Sequence, residues 1–182
     1  PSVPSWVEDY FKEYKNAKIA NKYTSEIKSK ISIINESESA FDRWYNQFST
    51  TFSQLISRND IEVYYWIDGL GIDWISLIKE IIAERKGQHI FLNDVKVARA
   101  LLPTKTDINK QDLLRLLPEK TQLEKAGDLD ALAHKSNNIY PFTVINEIEL
   151  VRKTIEEILD KYSGKKIAII SDHGLSYLPQ FL

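Results

Sequence analysis

The chain places two acidic residues after short apolar runs of strand length. Asp68 follows YYWI and precedes Gly69, and Asp172 follows IAIIS and precedes His173 and Gly174. Taken singly, an aspartate at a strand end is typical of a turn or a helix cap. Two carboxylates and an imidazole at one edge of a sheet would repel one another and be costly to desolvate unless a cation lies between them. The pair therefore indicates a metal site.

A hydroxyl-bearing motif, PTKT, occupies residues 103–106. Its proline ends the preceding segment, and Thr106 falls near a predicted helix start, where free backbone N–H groups and the helix dipole favour phosphate and a developing alkoxide. The alternative is structural, because a threonine before an aspartate at a helix start is also an ordinary N-cap. One turn later, Asn109 could donate a hydrogen bond to a non-bridging phosphate oxygen, or it could be a solvated helix residue.

A further acid and histidine lie in the stretch DLDALAH. If this stretch is helical, the spacing of four places Asp130 and His134 on one face, as a divalent metal requires. Asp128 lies nearby and is an alternative ligand. The chain has no cysteine, which excludes disulfides, thiolate metal sites and cysteine nucleophiles, so ligands must be His, Asp or Glu. Of its three histidines, we take His89, at the start of a predicted strand, as a surface or packing residue.

Apolar periodicity predicts the elements that must position these residues. Apolar residues recur at helical spacing over residues 1 to about 60 and predict helices there, and Ser37 could cap the second of these helical runs. Short β-rich or apolar runs predict strands over residues 61–67, 88–92 and 167–170. Amphipathic runs predict helices over residues 74–82, 106–117 and 144–159. Residues 119–141 carry turn signals and little periodicity.

Strands that alternate with helices of this length predict an α/β fold with a mainly parallel sheet and helices on both faces. We expect a helical segment over residues 1–60 and an α/β domain over residues 61–182. In an open parallel sheet, ligands bind outside the carboxyl ends of the strands, so Asp68 and Asp172 should share one edge with Thr106 and His173.

Composition narrows the classes of function. The 182 residues are 43% hydrophobic, which suits one core, and the net charge of −2 gives no overall field for gathering polyanions. No apolar run reaches the length of a membrane span and no signal peptide is evident, so we expect a cytoplasmic protein without a membrane partner. Because the chain begins at Pro1 and has no Met, we also expect a piece of a longer protein.

Four motifs of this chain resemble those of the alkaline phosphatase superfamily and, within it, of the PglZ domain. In order along the chain they are Asp68 and Gly69 after a strand, PTKT, DLDALAH and SDHG. SDHG after an apolar strand is the most specific motif. PTKT is similar to the nucleophile motif of the nucleotide pyrophosphatase and phosphodiesterase branch. The resemblance spans about residues 61–182 and implies an alkaline phosphatase-like core.

The resemblance implies two divalent metal ions, usually zinc in the relatives, and manganese also suits such ligands. Matched residue by residue, Asp68, Asp172 and His173 would hold one ion together with the nucleophile Thr106. Asp130 and His134 would hold the other. Relatives complete this second site with a histidine downstream of SDHG, whereas this chain has none after His173.

The chemistry implied is hydrolysis of a phosphate ester through a covalent phosphothreonine at Thr106. A threonine hydroxyl is a poor nucleophile at neutral pH unless a metal lowers its pKa, and two ions about 4 Å apart would stabilise both the attacking and leaving oxygens. PglZ-type proteins belong to the bacterial phage-exclusion systems known as BREX. That setting implies other phage-defence proteins as partners and favours a nucleic-acid substrate and a metal-dependent nuclease.

Two other classes of function remain open. The first is a catalytically silent scaffold that keeps some ligands and docks other defence proteins. The second is a nucleic-acid-binding module without chemistry, in which the lysine-rich stretch over residues 12–30 contacts phosphates. Such a stretch is more often simply the solvated face of a helix.

Overall fold

Helices dominate the part of the chain that the computed structural model describes, which comprises residues 3–36, 40–115, 122–133 and 141–174. Four of them precede the first strand: α1 (Ser5–Ile19), α2 (Ser25–Glu36), α3 (Ala40–Tyr45) and α4 (Thr51–Leu55). The helices predicted for this segment are thus confirmed. Ser37, the predicted helix cap, lies outside the described residues.

The aromatic side chains of this segment pack largely on one another. Trp44 meets Trp6 and Phe48 edge to face, with ring centroids 5.7 Å and 5.3 Å away, an arrangement that aromatic quadrupoles favour. From α4, Phe52 and Leu55 reach the core beneath the sheet. The helical segment therefore has its own aromatic cluster and touches the sheet through α4.

A parallel sheet forms the centre of the fold. Its strands are β1 (Val63–Asp68), β2 (Gln122–Asp128) and β3 (Ile167–Ile170), in the order β2-β1-β3, and both pairings are parallel. All six residues of β1 are buried, which explains its unbroken apolar sequence. The mixed α/β class and the strands predicted near residues 61–67 and 167–170 are confirmed. Three strands make up the sheet in the described residues, and a full alkaline phosphatase-like core stays a prediction.

Helices cover both faces of the sheet. Val63, Tyr65 and Ile67 pack against α5 (Ile75–Glu84) and α8 (Val144–Lys161), which supply most of the larger core cluster. The alternate residues of β1, Tyr64 and Trp66, face α4 and α6 (Thr106–Leu114). Because successive side chains of a strand point to opposite faces, β1 anchors both layers.

Two local predictions need correction. The strand predicted over residues 88–92 is wrong, because a 3-10 turn, Lys86–Gln88, leads into His89, whose left-handed φ of 60° breaks an extended path. Residues 119–141, whose turn signals and weak periodicity predicted no strand, contain β2 and also α7 (Leu129–Ala133), which lies within the stretch DLDALAH. Among the described residues, no helix is both long and apolar enough to cross a membrane.

Candidate metal centre

The two strand-end aspartates lie at the same edge of the sheet. Asp68 is the last residue of β1, and Asp172 comes two residues after β3 ends. Since β1 and β3 run parallel with Trp66 opposite Ile170, the chain leaves both strands in the same direction. Both aspartates are 4% exposed. The structure therefore brings Asp68 and Asp172 to one edge of the sheet, as the sequence predicts.

Glycines allow the two connecting loops to approach closely. Gly69 adopts a left-handed φ of 75°, and its N–H lies 3.4 Å from Oδ1 of Asp172. A Cβ on Gly174 would lie 2.9 Å from Cα of Gly71, so only glycine fits where the loops cross. In the sequence, Gly69 and Gly174 stand out only as members of the motifs at Asp68 and His173, and no local pattern predicted this contact.

Thr106 joins the aspartates through its hydroxyl. It is the first residue of α6, whose N-cap is Lys105 and has no side-chain capping bond, so the N-cap alternative for Thr106 is wrong. Its Oγ1 lies 3.2 Å from Oδ1 of Asp68 and 3.1 Å from Nε2 of His173, and its single hydrogen can be donated to either of them. The half-buried hydroxyl therefore faces a carboxylate and an imidazole instead of its own helix.

His173 occupies the middle of the group. Its Nε2 lies 3.5 Å from Oδ1 of Asp68 and 3.5 Å from Oδ2 of Asp172. Its Nδ1 lies 3.2 Å from the carbonyl oxygen of Gly174, a contact that only a protonated Nδ1 can make as a hydrogen bond. This contact favours the tautomer whose Nε2 carries a lone pair aimed at the aspartates, the usual arrangement of a metal-binding histidine.

Asn109 fixes the loop that carries Thr106. The side chain is 4% exposed, so the alternative of a solvated helix residue is wrong. Its Oδ1 accepts from the N–H of Leu101 at 2.6 Å, and its Nδ2 donates to the carbonyls of Leu101 and Lys105 at 3.2 Å and 3.0 Å. Both amide hydrogens are thus used within the protein, and the contact of Asn109 with a phosphate oxygen stays a prediction.

The donor set fits a divalent cation. Asp68, Asp172 and His173 each offer one ligand atom, and these atoms all lie within 4.8 Å of one another. Oδ2 of Asp172 is buried without a hydrogen-bond partner in the described residues, which is costly for a carboxylate oxygen unless a cation contacts it. Two buried carboxylates and a neutral imidazole carry a charge of −2, which one divalent ion balances.

The predicted second ion site lies partly outside the described residues. β2 places Asp128 opposite Asp68 in the sheet register, so the backbone leading to α7 starts at the same edge as the cluster. Asp130 lies within α7, and His134 falls outside the described residues. Whether Asp130 and His134, or Asp128, hold an ion stays a prediction.

No family model matches the chain, and neither a curated protein nor a solved structure is significantly similar to it.

Proposed function

We propose that the protein is a metal-dependent hydrolase of phosphate esters in which Thr106 is the nucleophile. The observation that carries this proposal is the position of its hydroxyl, within hydrogen-bond distance of both Asp68 and His173. A nucleophile and the groups that take its proton must lie this close for proton transfer and attack to occur together.

Asp68, Asp172 and His173 would hold the divalent ion, zinc or manganese. When bound, that ion supplies Lewis-acid stabilisation of the negative charge that develops on the oxygens. Oδ1 of Asp68 accepts the hydroxyl hydrogen of Thr106 and orients its lone pairs. The oxygen of Thr106 then forms a bond to phosphorus while its proton passes to Asp68, and the bond to the leaving oxygen breaks as that oxygen takes a proton from water. A water molecule then attacks the phosphothreonine, the bond from phosphorus to the threonine oxygen breaks, and that oxygen regains its proton. A second ion held by Asp130 and His134 belongs to the same proposal.

The substrate class and setting follow from the resemblance to PglZ domains. Phosphodiesters of nucleic acid are the proposed substrates, and other phage-defence proteins of a cytoplasmic BREX system are the proposed partners. The hydroxyl of Thr106, aimed at Asp68 and His173, supports the hydrolase over the silent scaffold, because docking of other proteins needs no hydroxyl directed at buried metal ligands.

The test is hydrolysis of bis(4-nitrophenyl) phosphate by the purified chain with Mn²⁺ or Zn²⁺. Thr106→Ala should lower the rate at least ~100-fold because the covalent route is lost, whereas Thr106→Ser, which keeps a hydroxyl, should retain activity. Thr104→Val is the matched control in the same motif, since Thr104 is exposed and outside the cluster. Equal rates for Thr106→Ala and the wild type would refute the nucleophile, and no hydrolysis with either metal would favour the scaffold.

A further inference from the structure

A small cavity lies beside the metal centre and shares Asp172 with it. Thr50, Thr51 and Arg99 contribute to its wall, together with Asp112 from α6. Its volume is about 10 Å³, room for roughly one water-sized atom. Asp172 therefore borders both the cluster and a space with room for one oxygen atom.

Arg99 is held in place by its backbone and by one side of its guanidinium. Its N–H donates to the carbonyl of Ser49 at 3.0 Å, and its Nε donates to the carbonyl of Phe48 at 3.0 Å. The guanidinium carbon lies 5.9 Å from the ring centroid of Tyr45, whose hydroxyl donates to the carbonyl of Ala100 at 2.8 Å. These contacts order the side chain before any ligand binds.

The terminal nitrogens of this guanidinium have no partner among the described residues. Within that part of the chain, no carboxylate lies close enough to Arg99 for an ion pair. Asp112 and Asp172 line the same cavity, but Asp112 contacts Arg115 instead, at 3.5 Å. The hydroxyl of Thr51 likewise has no hydrogen-bond partner in the described residues. An ordered, half-buried arginine with unused donors is typical of a site for a phosphate or carboxylate oxygen.

We propose that Arg99, assisted by Thr51, binds a non-bridging phosphoryl oxygen of the substrate. The inference rests on the proposed function, because the substrate class comes from it. It adds a substrate-binding residue at the cavity that Asp172 shares with the metal centre. Arg99 would hold the phosphoryl group in position while the hydroxyl of Thr106 attacks phosphorus.

The experiment measures binding of inorganic phosphate by isothermal titration calorimetry, with and without Mn²⁺, and separately measures Mn²⁺ affinity. Arg99→Gln should weaken phosphate binding about 10- to 100-fold, since a charge-assisted contact is lost, and should leave Mn²⁺ affinity within about twofold. Thr51→Val leaves the anchors of Arg99 intact and should weaken phosphate binding about threefold to tenfold. Arg58→Gln, which removes a half-buried arginine paired with the exposed Asp60, should change neither affinity.

The outcomes separate the subsite from the metal centre. Phosphate binding that depends on Arg99 supports the subsite even if Mn²⁺ does not bind, in which case the metal proposal fails alone. If the protein binds Mn²⁺ but phosphate affinity is unchanged in both Arg99→Gln and Thr51→Val, the proposed subsite is wrong and the metal centre is supported. The cavity then holds water only. If the wild type binds neither, both proposals are wrong.

Discussion

Replacing Asp172 with asparagine should stabilise the metal-free protein while abolishing its stabilisation by metal. The ligand atoms of Asp68 and Asp172 lie within 4.8 Å of one another, and both side chains are buried. Two negative charges at that separation repel by about 3 kcal/mol at an effective dielectric of about 20. Asparagine keeps an acceptor for the N–H of Gly69 and provides an amide hydrogen for Nε2 of His173, so few contacts are lost.

The expected gain is therefore about 2 kcal/mol without metal, which raises Tm by about 4–8 °C for a chain of this size. With Mn²⁺ at about 100 times its Kd, the wild type gains about 2.7 kcal/mol and the variant gains little, so the order of the two Tm values reverses. Differential scanning calorimetry at pH 7, first with EDTA and then with Mn²⁺, measures both effects. The control is Asp94→Asn, an exposed aspartate whose substitution should shift Tm by no more than about 2 °C.

A lower Tm for Asp172→Asn than for the wild type in EDTA would refute this reasoning. It would mean that a protonated His173 holds the two carboxylates together as an ion-paired group. The cluster would then balance most of its own charge and have little need of a cation.

Two further predictions concern the backbone crossing and a surface carboxylate. Gly174→Ala should lower the free energy of unfolding by about 1–3 kcal/mol and weaken Mn²⁺ binding, because its Cβ would lie 2.9 Å from Cα of Gly71. The control, Gly87→Ala, has open space around its Cβ and should change neither quantity. Equal losses of stability in the two variants on denaturant unfolding would contradict this prediction. Hydrogen bonding to Arg58 lowers the pKa of Asp60 from its ordinary 3.8 to about 2, so the stability that this exposed pair contributes is present above pH 3.8 and is lost as the pH falls towards 2. In an NMR carboxyl titration, Arg58→Gln should raise the midpoint of Asp60 towards 3.8, with Lys166 still lowering its pKa, and a wild-type midpoint already near 3.8 would show that the pair does not form.

The edge of the sheet that carries the site was predictable because it depends on short-range patterns. A fully apolar run followed by an acidic residue marks the end of a buried strand, and parallel strands end at one edge. From these two facts, the proximity of Asp68 and Asp172 could be predicted without knowledge of the connecting loops. The helix start at Thr106 was equally local, since Pro103 limits where the helix can begin.

What the sequence did not reveal depends on tertiary pairing. β2 has the polar sequence QLEKAGD and forms beside β1, although its own pattern gave no strand signal. Strand preference is weak compared with the effect of a neighbouring strand, so such a segment is missed. The same holds for Asn109, whose partners are backbone groups of a loop whose path no local pattern specifies.

The most direct test of the central claim is a calorimetric titration of the chain with Mn²⁺ and with Zn²⁺, comparing His173→Asn with His89→Asn. His89 is exposed and adopts a left-handed φ that asparagine tolerates, which makes it a matched control. The account predicts tight divalent binding by the wild type and by His89→Asn, and at least about tenfold weaker binding by His173→Asn. Equal affinity in all three proteins, or no binding by the wild type, would contradict the claim that Asp68, Asp172 and His173 form a metal centre.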